Sequence, residues 1–519
     1  MKKVIPLLLT ALLLAGCAST PAATVETTAP VQTTAATEAA AETAPVAVAE
    51  APVYTSRFDS ETVVTLSNDG LTVNGGGETD TVYTSHDIVY YEEKTAYESG
   101  NPYGAGSETD MHTAEEAQAH TVVNITAPGA YRLSGKLSAG QIRIDLGEDA
   151  ASDPDAVVEL ILDGADITCT VAPAILFRNV YECDGGWNPE TAQPTVDTAD
   201  AGANLILAEN SRSTVSGSYV AKIYKDAEGE KKLWKQDGAV YSYMSMNVYG
   251  PGALGITAEN EGLDSALHLT VNGGTVVASA NPASDAGLDS DMGSFVNGGT
   301  VIALGSTMDW AESDSNQVTM NLQFSQYQSS GSAIVVTKED GTVIFAYDPS
   351  EDEVLGENMR QYMGAVISCP AFTRGETYQL WLDGTVTGTE TGGVYTSVTA
   401  YSGGTQMQYT GTDVGMGGMG GPRPEGGMPE DSDGQRPQPG DLTPPDGDTG
   451  GQPPEKPDGD ASGAPGDGTP PDGERPPLPE GETMPDRQPP EGGQNAAGEA
   501  STGFYMNDMV NAFSGITAV

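Results

Sequence analysis

Basic residues are what this sequence most conspicuously lacks. Lys and Arg together number 22 against 74 Asp and Glu, giving a formal net charge of −52 and a pI near 4.1. A surface of that sign repels phosphate backbones, so nucleic acid is excluded as a partner. An anionic polysaccharide can approach it only if cations bridge the carboxylates of the two. Part of the charge serves simply to keep polar tracts extended and soluble. Cysteine is scarce too, with four, at 17, 169, 183 and 369, and none at zinc-ligand spacing. The four histidines, His86, His112, His120 and His268, are scattered; His268, between Leu267 and Leu269, reads as an outward strand residue. GxSxG, GxxxxGKS/T and HExxH are all missing, which removes the nucleophile elbow, the P-loop and the zincin helix. The apolar run at residues 4–14 is too short to span a bilayer.

What the sequence does contain is a repeat. Gly262-Leu263-Asp264-Ser265 returns as Gly287-Leu288-Asp289-Ser290, and Asn272-Gly273-Gly274-Thr275-Val276 returns as Asn297-Gly298-Gly299-Thr300-Val301, both at a shift of 25 (289 − 264, 297 − 272). A looser copy, Asp237-Gly238-Ala239-Val240-Tyr241-Ser242, precedes them by 23 to 24 residues. Short β-prone runs between Gly, Asn, Asp and Ser at a fixed period predict an all-β chain wound as a parallel β-helix, a solenoid. Residues one period apart would then stack at about 4.8 Å. Asp264 would lie beside Asp289, and Asp237, Glu261 and Asp285 would form a second acidic column, with Asp291 close by. Stacked carboxylates repel unless something neutralises them, and calcium, which takes six to eight oxygens in flexible geometry, is the natural counter-ion. The competing reading is that these residues are there because Asp, Asn, Ser and Gly suit turns. The Asn-Gly-Gly pairs read as turn chemistry and an asparagine ladder rather than as ligand contacts.

Along the chain, residues 1–17 read as a lipoprotein signal: Lys2 and Lys3, an apolar run, then Leu14-Ala15-Gly16-Cys17. Lipid on Cys17 would tether an exported protein to the bacterial cell envelope, surface-exposed, touching the membrane through its N-terminal lipid alone. Residues 18–52, of Ala, Thr, Pro and Glu, form a disordered spacer. The coil occupies 53–325, with excursions at 92–116, 181–201 and 219–236, strands expected at Ile88 to Tyr91, Val157 to Leu162 and Ile167 to Cys169, and a break at Asp163-Gly164. A small antiparallel β unit at 326–410 caps it, since an open end invites aggregation. Residues 411–501, rich in Gly, Pro and acidic residues, form a second long disordered segment. Residues 502–519 are again apolar and alternating, and are expected to return as a strand to the fold.

Cys169 and Cys183 are read either as a disulfide across adjacent runs or, with Cys369, as buried apolar thiols. The lysines at 222, 225, 231, 232 and 235 are a rare basic patch in this acidic chain. They offer partners for uronate carboxylates or, at Lys235, a proton-abstracting base; otherwise they belong to a solvated loop. Tyr241, Tyr243 and Trp310 are candidates to stack on sugar rings, against the alternative that they are packed.

From about residue 87 to 411 the chain resembles a bacterial family of carbohydrate-binding β-helix proteins. The likeness rests on Gly129-Ala130-Tyr131-Arg132-Leu133-Ser134-Gly135, Leu162-Asp163-Gly164-Ala165-Asp166-Ile167-Thr168-Cys169, Asp237 to Ser242 and the twin Gly-Leu-Asp-Ser and Asn-Gly-Gly-Thr-Val phrases. The resemblance implies a right-handed parallel β-helix that binds calcium and acidic pectic polysaccharide, similar in architecture to family 9 polysaccharide lyases but without established catalysis. The family's acidic position before each glycine falls on Asp237, Glu261 and, one place displaced, Asp285. Its common Lys-Asp is Ala266-Leu267 in one repeat and Asp291-Met292 in the next, leaving fewer ligands here. The sequence thus predicts a monomeric, non-catalytic, surface-anchored protein whose partner is an acidic plant or cell-wall polysaccharide bound through calcium. The metal ligands would be Asp237, Glu261, Asp264, Asp285, Asp289 and Asp291; the sugar contacts, Lys235, Tyr241, Tyr243 and Trp310. Two alternatives are a lyase using Lys235 as base with calcium as electrophile, and an envelope spacer or adhesin with no sugar ligand.

Overall fold

The computed structural model describes residues 54–90, 112–183, 197–224, 232–282, 285–306, 309–352, 355–356, 358–412 and 500–519; at 221–224 and 232–235 it describes the backbone alone. Cys17, the 18–52 spacer and all but the ends of the 92–116 and 411–501 segments lie outside these residues, as do Lys225 and Lys231.

Among the described residues the fold is all-β, with large sheets and one short α-helix, Ala114–Gln118. Short apolar runs between Gly, Asn and Asp become strands because each is long enough to pair and too short to bury a helical face. The strands stack in three parallel ladders. One runs Thr121–Ile125, Gly140–Asp145, Ile175–Asn179, Gly238–Ser242, Glu261–Ser265 and Leu288–Ser290. A second runs Glu61–Ser67, Gly129–Leu137, the first half of Val158–Thr168, Ala203–Leu207, Met246–Tyr249, His268–Val271 and Gly293–Val296. The third runs from the second half of Val158–Thr168 through Arg212–Gly217, Ala253–Ala258, Thr275–Ser279 and Thr300–Gly305. Tyr241 pairs with Asp264 and Asp264 with Asp289, offsets of 23 and 25, while Arg212 pairs with Ala253, an offset of 41. The difference is the hairpin of Val220–Tyr224 and Lys232–Gln236, which is inserted in that turn.

In-register stacking aligns like with like. Leu160, Leu205, Val248, Val271 and Val296 follow one another along the second ladder, each fully buried. Each such side chain is worth about 1.5–3 kcal/mol of burial, so this column and its neighbours form the main core. Beside it runs an amide column: Asn247 Nδ2 donates to Asn204 Oδ1 at 3.1 Å, Asn272 to Asn247 at 3.3 Å and Asn297 to Asn272 at 3.4 Å. The turns that follow need glycine. Gly274 and Gly299 both have φ of +82°, and a Cβ on Gly299 would meet the Gly274 carbonyl at 2.4 Å.

Antiparallel strands close the ladder ends. Gly70–Val73 pairs with Glu61–Ser67, and Val82–Ser85 with Thr121–Ile125. At the other end Tyr362–Ser368 pairs antiparallel with both Thr300–Gly305 and Thr319–Gln328. Antiparallel pairing at this end therefore begins before residue 326, within the stretch expected to be coiled. The last strand, Val510–Ala518, runs parallel to Thr319–Gln328 and antiparallel to Thr405–Gln408. It buries Phe513 and Ile516 in the second core with Phe324, Tyr362 and Phe504.

Two expectations are corrected. Residues 88–90 form no strand. Asp163-Gly164 does not break a strand: Val158–Thr168 is continuous, because Gly164 takes φ of +72° and the register slips by one against Leu133 and Gly135, which absorbs the kink. Cys169, Cys183 and Cys369 are free thiols, so no disulfide joins the first two.

A short N-terminal arm is latched to the ladders by Glu159, which is fully buried. Its carboxylate accepts from Tyr54 Oη at 2.9 Å, Ser56 Oγ at 2.6 Å and the Arg57 backbone N–H at 2.8 Å. Charge-assisted bonds of this kind are worth about 1.5–3 kcal/mol each. Glu159→Ala is expected to release the arm, so that trypsin cuts after Arg57 much faster than in the parent while the ladders keep their circular dichroism. Unchanged cleavage would show that the latch is not held by this carboxylate. Burial pushes the thiols of Cys169, Cys183 and Cys369 up to about 12. Only about one in 10⁴ is then thiolate at pH 8. Iodoacetamide at that pH should leave all three unmodified until the protein is denatured, as read by peptide mass.

Candidate functional site

The repeated Gly-Leu-Asp-Ser phrase builds one site from three simple roles. Leu263 and Leu288 point into the core. The serines hold the following turn: Ser265 Oγ donates to the Met244 carbonyl at 2.9 Å and accepts the Leu267 N–H at 3.1 Å, and Ser290 Oγ accepts the Gly293 N–H at 3.0 Å. Between them, on the opposite face of the strand, stand Asp264 and Asp289, paired in register on adjacent strands. Glu261, at the start of the same strand as Asp264, joins them: carboxylate oxygens of Glu261, Asp264 and Asp289 all lie within 4.8 Å of one another. Glu261 and Asp264 are buried and Asp289 is half-buried, so the cluster opens to solvent at its Asp289 end. Space for Asp264 comes from Gly238, where a Cβ would sit 2.7 Å from Asp264 Cβ.

The second acidic column differs from expectation. Gly238, not Asp237, is in register with Glu261, and Leu263 with Leu288. Extending the first register by one residue sets Asp237 beside Asn260 (237 + 23), and extending the second by three sets Asn260 beside Asp285 (260 + 25). With its amide nitrogen turned toward it, Asn260 donates to both oxygens of Asp285 at 3.1 and 2.6 Å. An amide thus separates two carboxylates that the period alone had stacked, while Glu261 lies with the Asp264 and Asp289 group. Asp291 is exposed beyond the strand end, its N–H donating to the Ser265 carbonyl at 3.0 Å.

Tyr241 occupies the next place in the Asp264 row. Burial first, then the charges of Asp264, Tyr243, Asp237 and Asp291, raise its hydroxyl well above the ordinary tyrosine value, so it stays neutral among carboxylates. Its ring meets Tyr243 edge-on, centroids 5.1 Å apart, and both residues are 4% exposed. Neither ring has a face to offer a sugar; the packed alternative holds for both. Trp310 is half-buried against the core. Lys235 lies on the inserted hairpin strand Lys232–Gln236, where the backbone alone is described.

His268 is fully buried, not outward. Its Nδ1 lies 3.3 Å from Ser245 Oγ, which itself donates to Glu182 Oε1 at 2.9 Å. These are residue types of a hydrolytic triad, but serine stands in the middle, and burial of Ser245 and His268 at 0% denies a substrate access. The group satisfies buried polar atoms among the ladders. No linear signal marks it, because its members are 63 and 23 positions apart.

Ladders of parallel strands carrying a part-buried carboxylate trio define the class: an all-β protein with a candidate cation site on a strand face. Residues 119–320, which enclose that trio, match the family model described as carbohydrate-binding domain-containing protein. Over 159 residues the chain is 26% identical to a carbohydrate-binding domain-containing protein of Acetivibrio thermocellus, a match covering 30% of this chain and 45% of that protein. The chain therefore spans less than half the length of the curated relative it matches. Among solved structures it is similar to a polysaccharide lyase-like protein from C. thermocellum, a gadolinium derivative, at 16% identity and a TM-score of 0.26, covering 46% of this chain and 68% of that one. At that score the likeness carries no inference.

Like charges held this close cost about 3 kcal/mol per pair at an effective dielectric near 20, and less toward solvent. Asp289→Asn is therefore expected to stabilise the protein by about 1–3 kcal/mol in chelator, measured by denaturant unfolding. Destabilisation by this substitution in chelator would show that the carboxylates do not strain the metal-free fold.

Proposed function

We propose that this chain is a non-catalytic carbohydrate-binding protein that captures an acidic, uronate-rich polysaccharide through calcium held by Glu261, Asp264 and Asp289, on ladders wound as a right-handed parallel β-helix. The observation that carries the reading is the spacing of the trio. Two oxygens bound to one calcium at about 2.3–2.6 Å can be no more than about 5 Å apart, and these carboxylates meet that limit before any movement. The donor set is all oxygen and anionic, the chemistry that calcium prefers over thiolate- or imidazole-seeking metals. Three protein carboxylates leave coordination positions open out of six to eight, and the half-buried Asp289 marks the side from which a uronate carboxylate would complete the shell. Calcium also answers the problem of net charge, since a chain at −52 cannot otherwise hold a polyanion.

The match of residues 119–320 to carbohydrate-binding domains supports the glycan as ligand class. Anchoring through Cys17 and the spacer at 18–52, with display as a monomer at the cell surface, completes the proposal on the sequence pattern alone.

Calorimetry should show calcium binding that weakens at least about tenfold in Asp264→Asn, a loss of about 1.4 kcal/mol. Saturating calcium at about 100 times Kd should raise stability by about 2.7 kcal/mol. Polygalacturonate should retain the protein in calcium and release it in chelator, with no unsaturated product absorbing in the ultraviolet. Equal retention in chelator removes the cation from the reading, and a rise in absorbance makes the protein a lyase.

A further inference from the structure

A second concave site lies away from the carboxylate trio, where the amide column reaches the surface. A cleft of about 410 Å³ is lined by Asp197, Tyr249, Asn272, Asn297, Asp314 and Asn316, a size within the range of about 300–1,000 Å³ usual for small-ligand sites. Its walls come from the turns after His268–Val271 and Gly293–Val296, on a different ladder from Glu261 and Asp264.

The cleft is pre-formed. Asn272 and Asn297 are fixed by their bonds along the amide column, and the Asn297 Oδ1 accepts the Asn316 backbone N–H at 2.9 Å. Tyr249 is half-exposed and backed by Tyr54, ring centroids 4.6 Å apart. The buried Phe295 also lines it. Groups already held in place lose little entropy on binding.

The chemistry of the lining is specific. Asn side chains donate and accept together, and ionised carboxylates accept from two donors at once, which is the pattern that neighbouring sugar hydroxyls satisfy. An aromatic face beside them suits the apolar face of a pyranose ring. No Lys, Arg or His is among the described lining residues. Asp197 and Asp314 are both exposed there, and the nearby Asp200 is paired with Arg57 at 2.9 Å. Burial first, then Asp197 and Asp200, hold the Tyr249 hydroxyl above its ordinary value, in keeping with a negative field. A uronate would be repelled where a neutral sugar would not.

We propose that this cleft is a cation-independent subsite for a neutral, hydroxyl-rich sugar segment. It rests on the reading of the chain as glycan-binding, and it assigns the neutral part of a mixed polysaccharide to the amide column and the charged part to the carboxylate trio. The test is calorimetry of the full chain in chelator with the neutral pentasaccharides of β-1,4-glucan, xylan and galactan, and with pentagalacturonate. At least one neutral probe should bind, at least about tenfold tighter than pentagalacturonate. The exposed pair Asp314→Ala with Asn316→Ala should weaken that binding at least about tenfold at an unchanged thermal midpoint. Absence of binding by every neutral probe, equal binding by the double variant, or preference for pentagalacturonate in chelator would overturn the subsite. Pentagalacturonate with calcium restored reports on the trio separately, so either reading can fail alone.

Discussion

Parallel strands paired in register at about 4.8 Å place each residue beside its counterpart on the neighbouring strand, and the chemistry of the ladders follows from what that repetition does to a given side chain. For Leu and Val it is favourable without qualification, and the column from Leu160 to Val296 is dry and continuous. For Asn it is favourable because an amide both donates and accepts: Asn204 with Asn247 and Asn272 with Asn297 bond as counterparts, and a diagonal bond from Asn272 to Asn247, whose own counterpart is Thr270, joins the two pairs. For Asp it is unfavourable. The same geometry that links amides sets carboxylates against each other, as it does at Asp264 and Asp289.

How the chain handles neighbouring carboxylates differs over a few residues. At Asp285 an amide intervenes, Asn260 donating to both oxygens. At the trio no amide takes that place in the repeat, and Glu261 leans in to make the group more negative still. Neutralisation by a neighbour and concentration of charge are alternative solutions to one electrostatic problem. They sit side by side on one pair of neighbouring strands, at the same offset of 25 residues (285 − 260, 289 − 264).

Much of this architecture was legible in the sequence, since the period of 25 predicts the pairing of Asp264 with Asp289, although alternation alone put His268 outward where neighbouring strands in fact bury it. Three things were not legible. Glu261 differs by one residue from the column in which the period placed it, and a one-residue register decides which carboxylates meet. Tyr241 and Tyr243 look like sugar platforms in a line of text, but burial depends on what the inserted hairpin and neighbouring rows cover. The cleft beside Asn272 and Asn297 is formed partly by Asp197 and Asp314, residues more than a hundred positions apart, and nothing local announces that they face a common space. Gly164 misled in the other direction, because glycine serves a bulge within a strand as readily as a break between two.

The closing strand carries a consequence for biosynthesis. Val510–Ala518 lies beside Thr319–Gln328, so nearly two hundred residues must be translated after one partner before the other exists. Until then Phe324, Tyr362 and the rest of the second core have an open side, and the long loop that must close makes that step slow. A nascent chain cut short within the intervening acidic tract would keep its ladders yet show a sticky apolar end to chaperones and proteases. Emergence of residues 510–518 is thereby what covers that side of the second core.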